Sequence, residues 1–162
     1  MWLLIFFQAV TSLAGTFTNS ASIKVADPLG ELSWKPATRA LTVSCWFKLT
    51  VPSDRLLSEN MTILVSRTDG DENSQFGYLI QFNVQTGNIE FSAQGSSRFT
   101  ATLIERPYLE RWYHVAIARS GDEFTSFVDG RPLPIRAQAI GDPASGDGLS
   151  IGGWAGTRFL LG

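Results

Sequence analysis

The chain has 162 residues, 13 basic and 15 acidic, for a net charge of −2, with 44% hydrophobic and 17% charged residues. This apolar content and low net charge exclude a disordered chain, and with no Lys/Arg block they argue against a nucleic-acid binder. One Cys and one His exclude an internal disulfide, a cysteine-built zinc site and a multi-histidine metal centre.

Residues 1–14 begin with the uncharged apolar run Met1 to Val10 and end in the small residues Ser12 and Ala14. The pattern predicts a secretory signal peptide cut after Ala14, although no Lys or Arg precedes the apolar stretch. It is shorter than the ~20 residues a transmembrane helix needs, and no other segment predicts a membrane span. A single domain over residues 15–162 follows, with no internal repeat.

Helical periodicity is nearly absent, and short alternating runs bounded by turn residues recur instead. Phe17 to Val25 predicts an opening strand broken by Asp27-Pro28-Leu29-Gly30. Leu41 to Leu49 is the clearest strand, with Leu41, Val43, Cys45, Phe47 and Leu49 on one face. Cys45 is therefore expected to be a small buried hydrophobe rather than a nucleophile. Thr62 to Ser66 and Phe76 to Val84 follow.

A two-residue turn at Thr86-Gly87 would set Val84 against Ile89 and Phe82 against Phe91, with Asn83 facing Glu90 and Gln81 facing Ser92. A second hairpin is predicted from Trp112–Arg119 and Phe124–Val128, setting Val115 against Val128 and Ile117 against Ser126. Asp129-Gly130 turns the chain again, Pro132 and Pro134 disfavour a central strand, and Leu149 to Gly153 predicts one more strand. Lys24, Lys48 and the prolines are candidates for edge protection. The expected class is all-β: an antiparallel two-sheet sandwich or jelly roll with one apolar and one polar face per sheet.

Leu41-Thr42-Val43-Ser44-Cys45-Trp46-Phe47-Lys48 resembles the Trp-containing strand of laminin-G-like jelly rolls. Arg111-Trp112-Tyr113-His114-Val115-Ala116 with Phe127-Val128-Asp129-Gly130 resembles that family's Trp-x-His-Val-Ala and Val-Asp-Gly hairpin, and Leu149 to Gly153 its Ile-Gly-Gly strand. The resemblance covers roughly residues 15–162. It implies a concanavalin A-like sandwich, a fold shared by lectins, pentraxins, laminin G modules and some glycosidases, and so points to fold more than to function. One departure is that the strand expected after Ile151-Gly152-Gly153 is missing or begins only at Phe159, as in a piece of a larger protein.

Glycosidases of this fold need two carboxylates facing one cleft, about 5–5.5 Å apart for retention or about 6.5–9.5 Å for inversion. Only Glu90 falls mid-strand, and it has no acidic partner two residues away. His114 sits within a strand signature and reads as structural. The expectation is therefore a protein that is not an enzyme.

Three features suit a binding module. Asp69, Asp71 and Asn73, with Glu72, form the densest set of oxygen ligands and are the candidate Ca2+ site, although a solvated turn would have the same composition. Trp46 points opposite Cys45 and is the candidate stacking platform for a sugar ring, unless a loop or the second sheet covers it. Tyr113 and Trp154 lie near strand ends, while Trp112 is expected in the core. Gln81, Asn83 and Glu90, with Ser92 and Gln94, make a polar sheet face able to hold a glycan or simply to be solvated.

Asn60-Met61-Thr62 fits an N-glycosylation acceptor. The expected function is a secreted or cell-surface binding module for a glycan or an extracellular protein, with Ca2+ as the candidate ion. The alternatives are an accessory domain of a larger exported protein with no ligand of its own, or a concanavalin A-like glycosidase.

Overall fold

The computed structural model describes residues 23–26, 40–50, 61–68, 76–94, 98–121, 123–133, 135, 148–154 and 158–159. Twelve strands run through them: β1 Ile23–Ala26, β2 Ala40–Lys48, β3 Met61–Thr68, β4 Phe76–Asn83, β5 Asn88–Gln94, β6 Arg98–Ile104, β7 Trp112–Ser120, β8 Glu123–Val128, β9 Arg131–Leu133, β10 Gly148–Ile151, β11 Gly153–Trp154 and β12 Arg158–Phe159. No helix occurs among the described residues, and hence none long and apolar enough to cross a membrane.

Two antiparallel sheets carry the fold. One has six strands in the order β1-β10-β3-β4-β5-β6, the other four in the order β2-β7-β8-β9, and β11-β12 form a short separate ribbon. The chain moves from the first sheet to the second at β2, back at β3, across again at β7 and back at β10. The expected two-sheet, all-β architecture is thus the observed one.

Among the described residues β1 is one edge of the larger sheet, and β2 and β9 are the edges of the smaller. Lys24 lies in β1, Lys48 in β2 and Pro132 in β9. Charge and a missing N–H therefore fall on strands that would otherwise offer a free ladder to another chain.

The core fills the space between the sheets. Tyr78, Ile80, Phe82, Ile89, Phe91 and Ala93 face Phe47, Leu49, Tyr113, Val115, Ile117 and Phe124 across it. Phe124 of β8 stacks on Phe99 of β6 at 5.6 Å between centroids and tilts against Phe91 of β5 at 5.7 Å, which ties the two sheets together. Each such buried apolar side chain contributes about 1.5–3 kcal/mol. Cys45 lies at the margin of this core, and burial pushes its thiol up to about 12, so it is protonated at neutral pH.

The two hairpins foreseen from the sequence fare differently. In the β7–β8 hairpin Val115 pairs with Val128 and Ile117 with Ser126, as expected. The next turn is the two-residue Asp129-Gly130, both at positive φ (50° and 76°), which matches the twist of antiparallel strands.

In the β4–β5 hairpin the partners shift by two residues. Asn83 faces Asn88, Gln81 faces Glu90 and Phe82 faces Ile89, around a four-residue loop from Val84 to Gly87. A two-residue turn would have required positive φ at β-branched Thr86 or glycine in its place. Instead the Asn83 side-chain oxygen accepts the N–H groups of Gln85 and Thr86, and only Gly87 takes positive φ, at 73°. A shift of two residues keeps every side chain on its expected face.

The strand β6 was not foreseen. Its Phe99 and Leu103 are buried while Arg98, Thr100 and Thr102 are exposed, a period-two alternation of burial, unlike its neighbour β5, which is buried on both faces.

Candidate functional site

Alternation along β2 sends Phe47 into the core and Trp46 and Lys48 away from it. On β7 the same rule buries Tyr113, Val115 and Ile117 and turns Trp112 and His114 outward. The ladder places Trp46 opposite His114 and Lys48 opposite Trp112, so the four side chains form a two-by-two block on the outer face of the smaller sheet. Trp46 is 66% exposed and Trp112 60%. Trp46 is therefore not covered, and the expectation that Trp112 belongs to the core is corrected.

Tyr113 is corrected in the opposite sense. It is buried, stacks on Phe47 at 5.5 Å, and its hydroxyl accepts the Tyr108 N–H at 2.9 Å.

Fixed contacts surround the block. The Trp46 and His114 rings lie 4.9 Å apart and tilt by 36°. The Lys48 ammonium sits 5.9 Å over the Trp112 ring and 2.9 Å from a Glu110 carboxylate oxygen. Asp129 accepts the backbone N–H of His114 at 2.9 Å and pairs with Arg111 at 3.0 Å. The His114 N–H foremost, then the Arg111 guanidinium, hold the Asp129 carboxyl below the usual carboxylate range. Each described cation near the block has its own counter-charge, so the surface is aromatic with balanced charge.

The polar set Gln81, Asn83 and Glu90 is brought together, but on the opposite outer face. Glu90 Oε2 accepts Gln81 Nε2 at 3.3 Å and Asn83 Nδ2 at 3.1 Å, and Glu90 Oε1 accepts the Thr86 hydroxyl at 3.1 Å. Next to them Ser92 and Thr100 hydroxyls meet at 3.0 Å. This face is not a solvated one: Gln81 is 1% exposed, Glu90 8%, and Ser92 is buried. The side chains satisfy one another, which lets them leave water at little net loss. One atom departs from this, since Gln81 Oε1 is buried without a hydrogen-bond partner. Trp46 thus projects from the smaller sheet and the Glu90 cluster from the larger, with the core between them.

Asp69, Asp71 and Asn73 lie outside the described residues, as do Glu72, Asn60 and residues 1–14, and nothing of the Trp154 side chain is described. Among the described residues no group of three or more His, Cys, Asp or Glu could hold a metal ion. Glu90, Glu110 and Asp129 are each engaged in the local contacts given above.

Sequence reasoning assigned no role to the segment Arg106–Glu110. Its Tyr108 is 74% and its Leu109 42% exposed. Among the described residues the exposed large hydrophobics are these two with Trp46 and Trp112. All four lie on β2, β7 or the loop entering β7.

A laminin G-type family model, described as the concanavalin A-like lectin/glucanases superfamily, matches residues 17–162. No curated protein matches the sequence. Among solved structures the chain is similar to mouse laminin alpha1 chain domains LG4-5, with a TM-score of 0.58 and 16% identity over 90% of this chain and 35% of that one. It is also similar to the CBM40 module of a Ruminococcus gnavus sialidase bound to alpha2,3 sialyllactose, at 0.55 and 14% over 88% and 85%. A third is the binding domain of botulinum neurotoxin serotype D, at 0.58 and 18% over 90% and 34%. The chain thus spans about a third of the laminin and neurotoxin structures. At these identities the likeness is one of fold.

Proposed function

Because the chain belongs to the concanavalin A-like lectin/glucanases superfamily, we propose that it is a non-catalytic binding module that recognises carbohydrate through the outer face of its smaller sheet. The observation that carries this reading is Trp46, 66% exposed and held beside His114 and across from the Lys48–Trp112 pair. An indole fixed on a rigid strand offers a large flat face at small entropic loss on binding. The CBM40 module of similar fold, bound to alpha2,3 sialyllactose, agrees with a carbohydrate-binding reading.

The non-catalytic part rests on the carboxylates. Glu90 is enclosed by three donors, and Glu110 and Asp129 are paired with cations, so none of the three is held free for proton transfer. Part of the same proposal is that Asp69, Asp71 and Asn73 hold Ca2+ and that the module works outside the cell.

The test is a glycan array probed with the full chain in Ca2+ and again in EDTA, with Trp46→Ala alongside. Binding that falls more than about tenfold in Trp46→Ala supports the platform. Loss of binding in EDTA supports the calcium part. A folded chain that binds no glycan in either condition overturns the carbohydrate reading and favours an accessory domain without its own ligand.

A further inference from the structure

The segment from Arg106 to Glu110, which enters β7 from β6, is strained, fastened and outward-facing at once. Arg106 and Glu110 both adopt left-handed backbone, at φ 44° and 58°. For a residue other than glycine that conformation is strained, because Cβ crowds the following carbonyl oxygen. Four contacts hold the segment in place. The Arg106 N–H donates to Asn88 Oδ1 at 3.2 Å, the Tyr108 N–H to the Tyr113 hydroxyl at 2.9 Å, and the Glu110 N–H to the Leu49 carbonyl at 2.8 Å, while the Glu110 carboxylate pairs with Lys48. The segment is thus tied to β2, β5 and β7, yet it turns Tyr108 and Leu109 to solvent. Strain that its surroundings over-determine, together with exposed apolar side chains, is the signature of a ligand-contacting segment rather than a fold-making one.

Between this segment and the Val84–Gly87 loop lies an open groove of about 390 Å3 at one end of the sandwich. Leu49, Val84, Pro107 and Leu109 give it aliphatic walls, Gln85 and Thr86 a polar one, and Gly87 and Arg106 close one side. A Cβ at Gly87 would come within 3.8 Å of Arg106 Cγ, so the arginine stem lies close along the loop. Among the described residues the Arg106 guanidinium has neither a hydrogen bond nor an ion pair, unlike Lys48 and Arg111 nearby.

We propose that this groove docks an extended acidic segment of a protein partner. One aliphatic side chain of the partner enters between Leu49, Val84 and Leu109, and a neighbouring Asp or Glu pairs with Arg106. The Leu49, Val84 and Leu109 walls accept a leucine-sized side chain without stranding a polar group, while Gln85 and Thr86 beside them are able to hydrogen-bond the backbone of an extended segment. The unpaired guanidinium selects a carboxylate, and tyrosine and arginine on a rigid segment are the residue types that dominate protein interfaces. This site lies at the end of the sandwich, apart from the Trp46 platform, and stands independently of the glycan reading.

The experiment is a 15N-correlation titration of the full chain with four probes: the peptide acetyl-Gly-Ser-Leu-Asp-Ser-Gly-amide, its Leu→Ser analogue, its Asp→Asn analogue, and a heparin tetrasaccharide. The parent peptide is expected to shift the amides of Gly87, Arg106 and Leu109 and to leave the Trp46 indole N–H in place. The Leu→Ser analogue should bring no shift. The Asp→Asn analogue, and the parent peptide on Arg106→Gln, should bind about tenfold more weakly. Arg106→Gln keeps the stem, and Leu109→Ser provides a second variant expected to lose the shifts should the first fail to fold. Absence of shifts at those three amides with the parent peptide overturns the proposal. So does unchanged binding by folded Arg106→Gln. Stronger shifts of the same amides with the heparin fragment would reassign the groove to an acidic glycan.

Discussion

Trp46 stands directly across the β2–β7 ladder from His114, with ring centroids 4.9 Å apart, while its chain neighbour Phe47 stacks on Tyr113 inside the core at 5.5 Å. One residue of chain therefore separates a surface aromatic pair from a core aromatic pair. The same step separates Trp112 from Tyr113, and it sets a measurable contrast between them. Tyr113→Ala removes a buried ring and strands the Tyr108 N–H, so it should lower stability by about 3–5 kcal/mol. Trp112→Ala removes a 60%-exposed indole and should lie within roughly 1 kcal/mol of the parent. Urea denaturation of both variants checks the ordering, and equal losses would mean that the outer aromatic block contributes to folding as much as the core does.

The Glu90 carboxylate is the single acceptor for three side-chain donors, from Gln81, Asn83 and Thr86. Glu90→Ala leaves those donors without it, with Gln81 fully inside the protein, and should cost about 2–4 kcal/mol. Glu90→Gln keeps the shape and one acceptor oxygen and should cost about 1 kcal/mol. Thermal melts of the two variants should separate them by several degrees. Melts that coincide with the parent would show that the cluster fills space without holding the Asn83–Asn88 loop.

Much of this architecture is legible in the residues. The alternation of Leu41 to Leu49 and the pairing of Val115 with Val128 follow from period-two patterning and turn chemistry, while the order of the Trp-x-His-Val-Ala and Val-Asp-Gly pieces is legible through the resemblance to laminin-G-like jelly rolls. The same alternation, run back from Val115, buries Tyr113 and exposes Trp112; an indole is placed by its face of the strand, not by its hydrophobicity. It also runs through Phe99, Ala101 and Leu103, which makes β6 readable in retrospect.

Three things were not legible. The β4–β5 register depends on the Asn83 side chain capping Gln85 and Thr86, which residue spacing does not announce. The burial of Gln81 and Glu90 depends on partners drawn from two strands and a loop, and a polar strand face has the same composition whether it meets water or itself. The strained Arg106–Glu110 segment carries no sequence signal, because left-handed backbone at Arg and Glu runs against their preferences and arises only from the tertiary ties around it.

Cys45 offers a test of how closely the sandwich is packed at β2. Burial raises its thiol from 9.0 to about 12. At a pH below both values the thiolate population falls by about a thousandfold, since only the thiolate attacks a disulfide reagent. The more basic thiolate is about twentyfold more nucleophilic, so the folded chain should react at least about thirtyfold more slowly with an aromatic disulfide reagent at pH 8 than the urea-unfolded chain, with steric burial adding to the difference. Comparable rates would show that β2 opens readily, exposing Cys45 together with the strand that carries Trp46.

Asp129 links the outer block to acid stability. In left-handed backbone at φ 50° it receives the His114 N–H and the Arg111 guanidinium, and its carboxyl is held below its ordinary 3.8. A carboxyl depressed in the folded state stabilises the protein above the unfolded value and loses that contribution as pH falls through the folded value. Asp129→Asn keeps the shape, tolerates the same backbone conformation and still accepts the His114 N–H, but it carries no charge to titrate. The parent should therefore melt above the variant at about pH 5 to 7, with the gap narrowing below about pH 3.8 as protonation makes the two side chains equivalent. The pairing with Arg111 is exposed to solvent, so added salt should narrow the gap at neutral pH as well. Melting curves that stay parallel from neutral to acid pH would show that the carboxylate's charge plays no part, leaving hydrogen-bond geometry alone to set the Asp129-Gly130 turn beside His114.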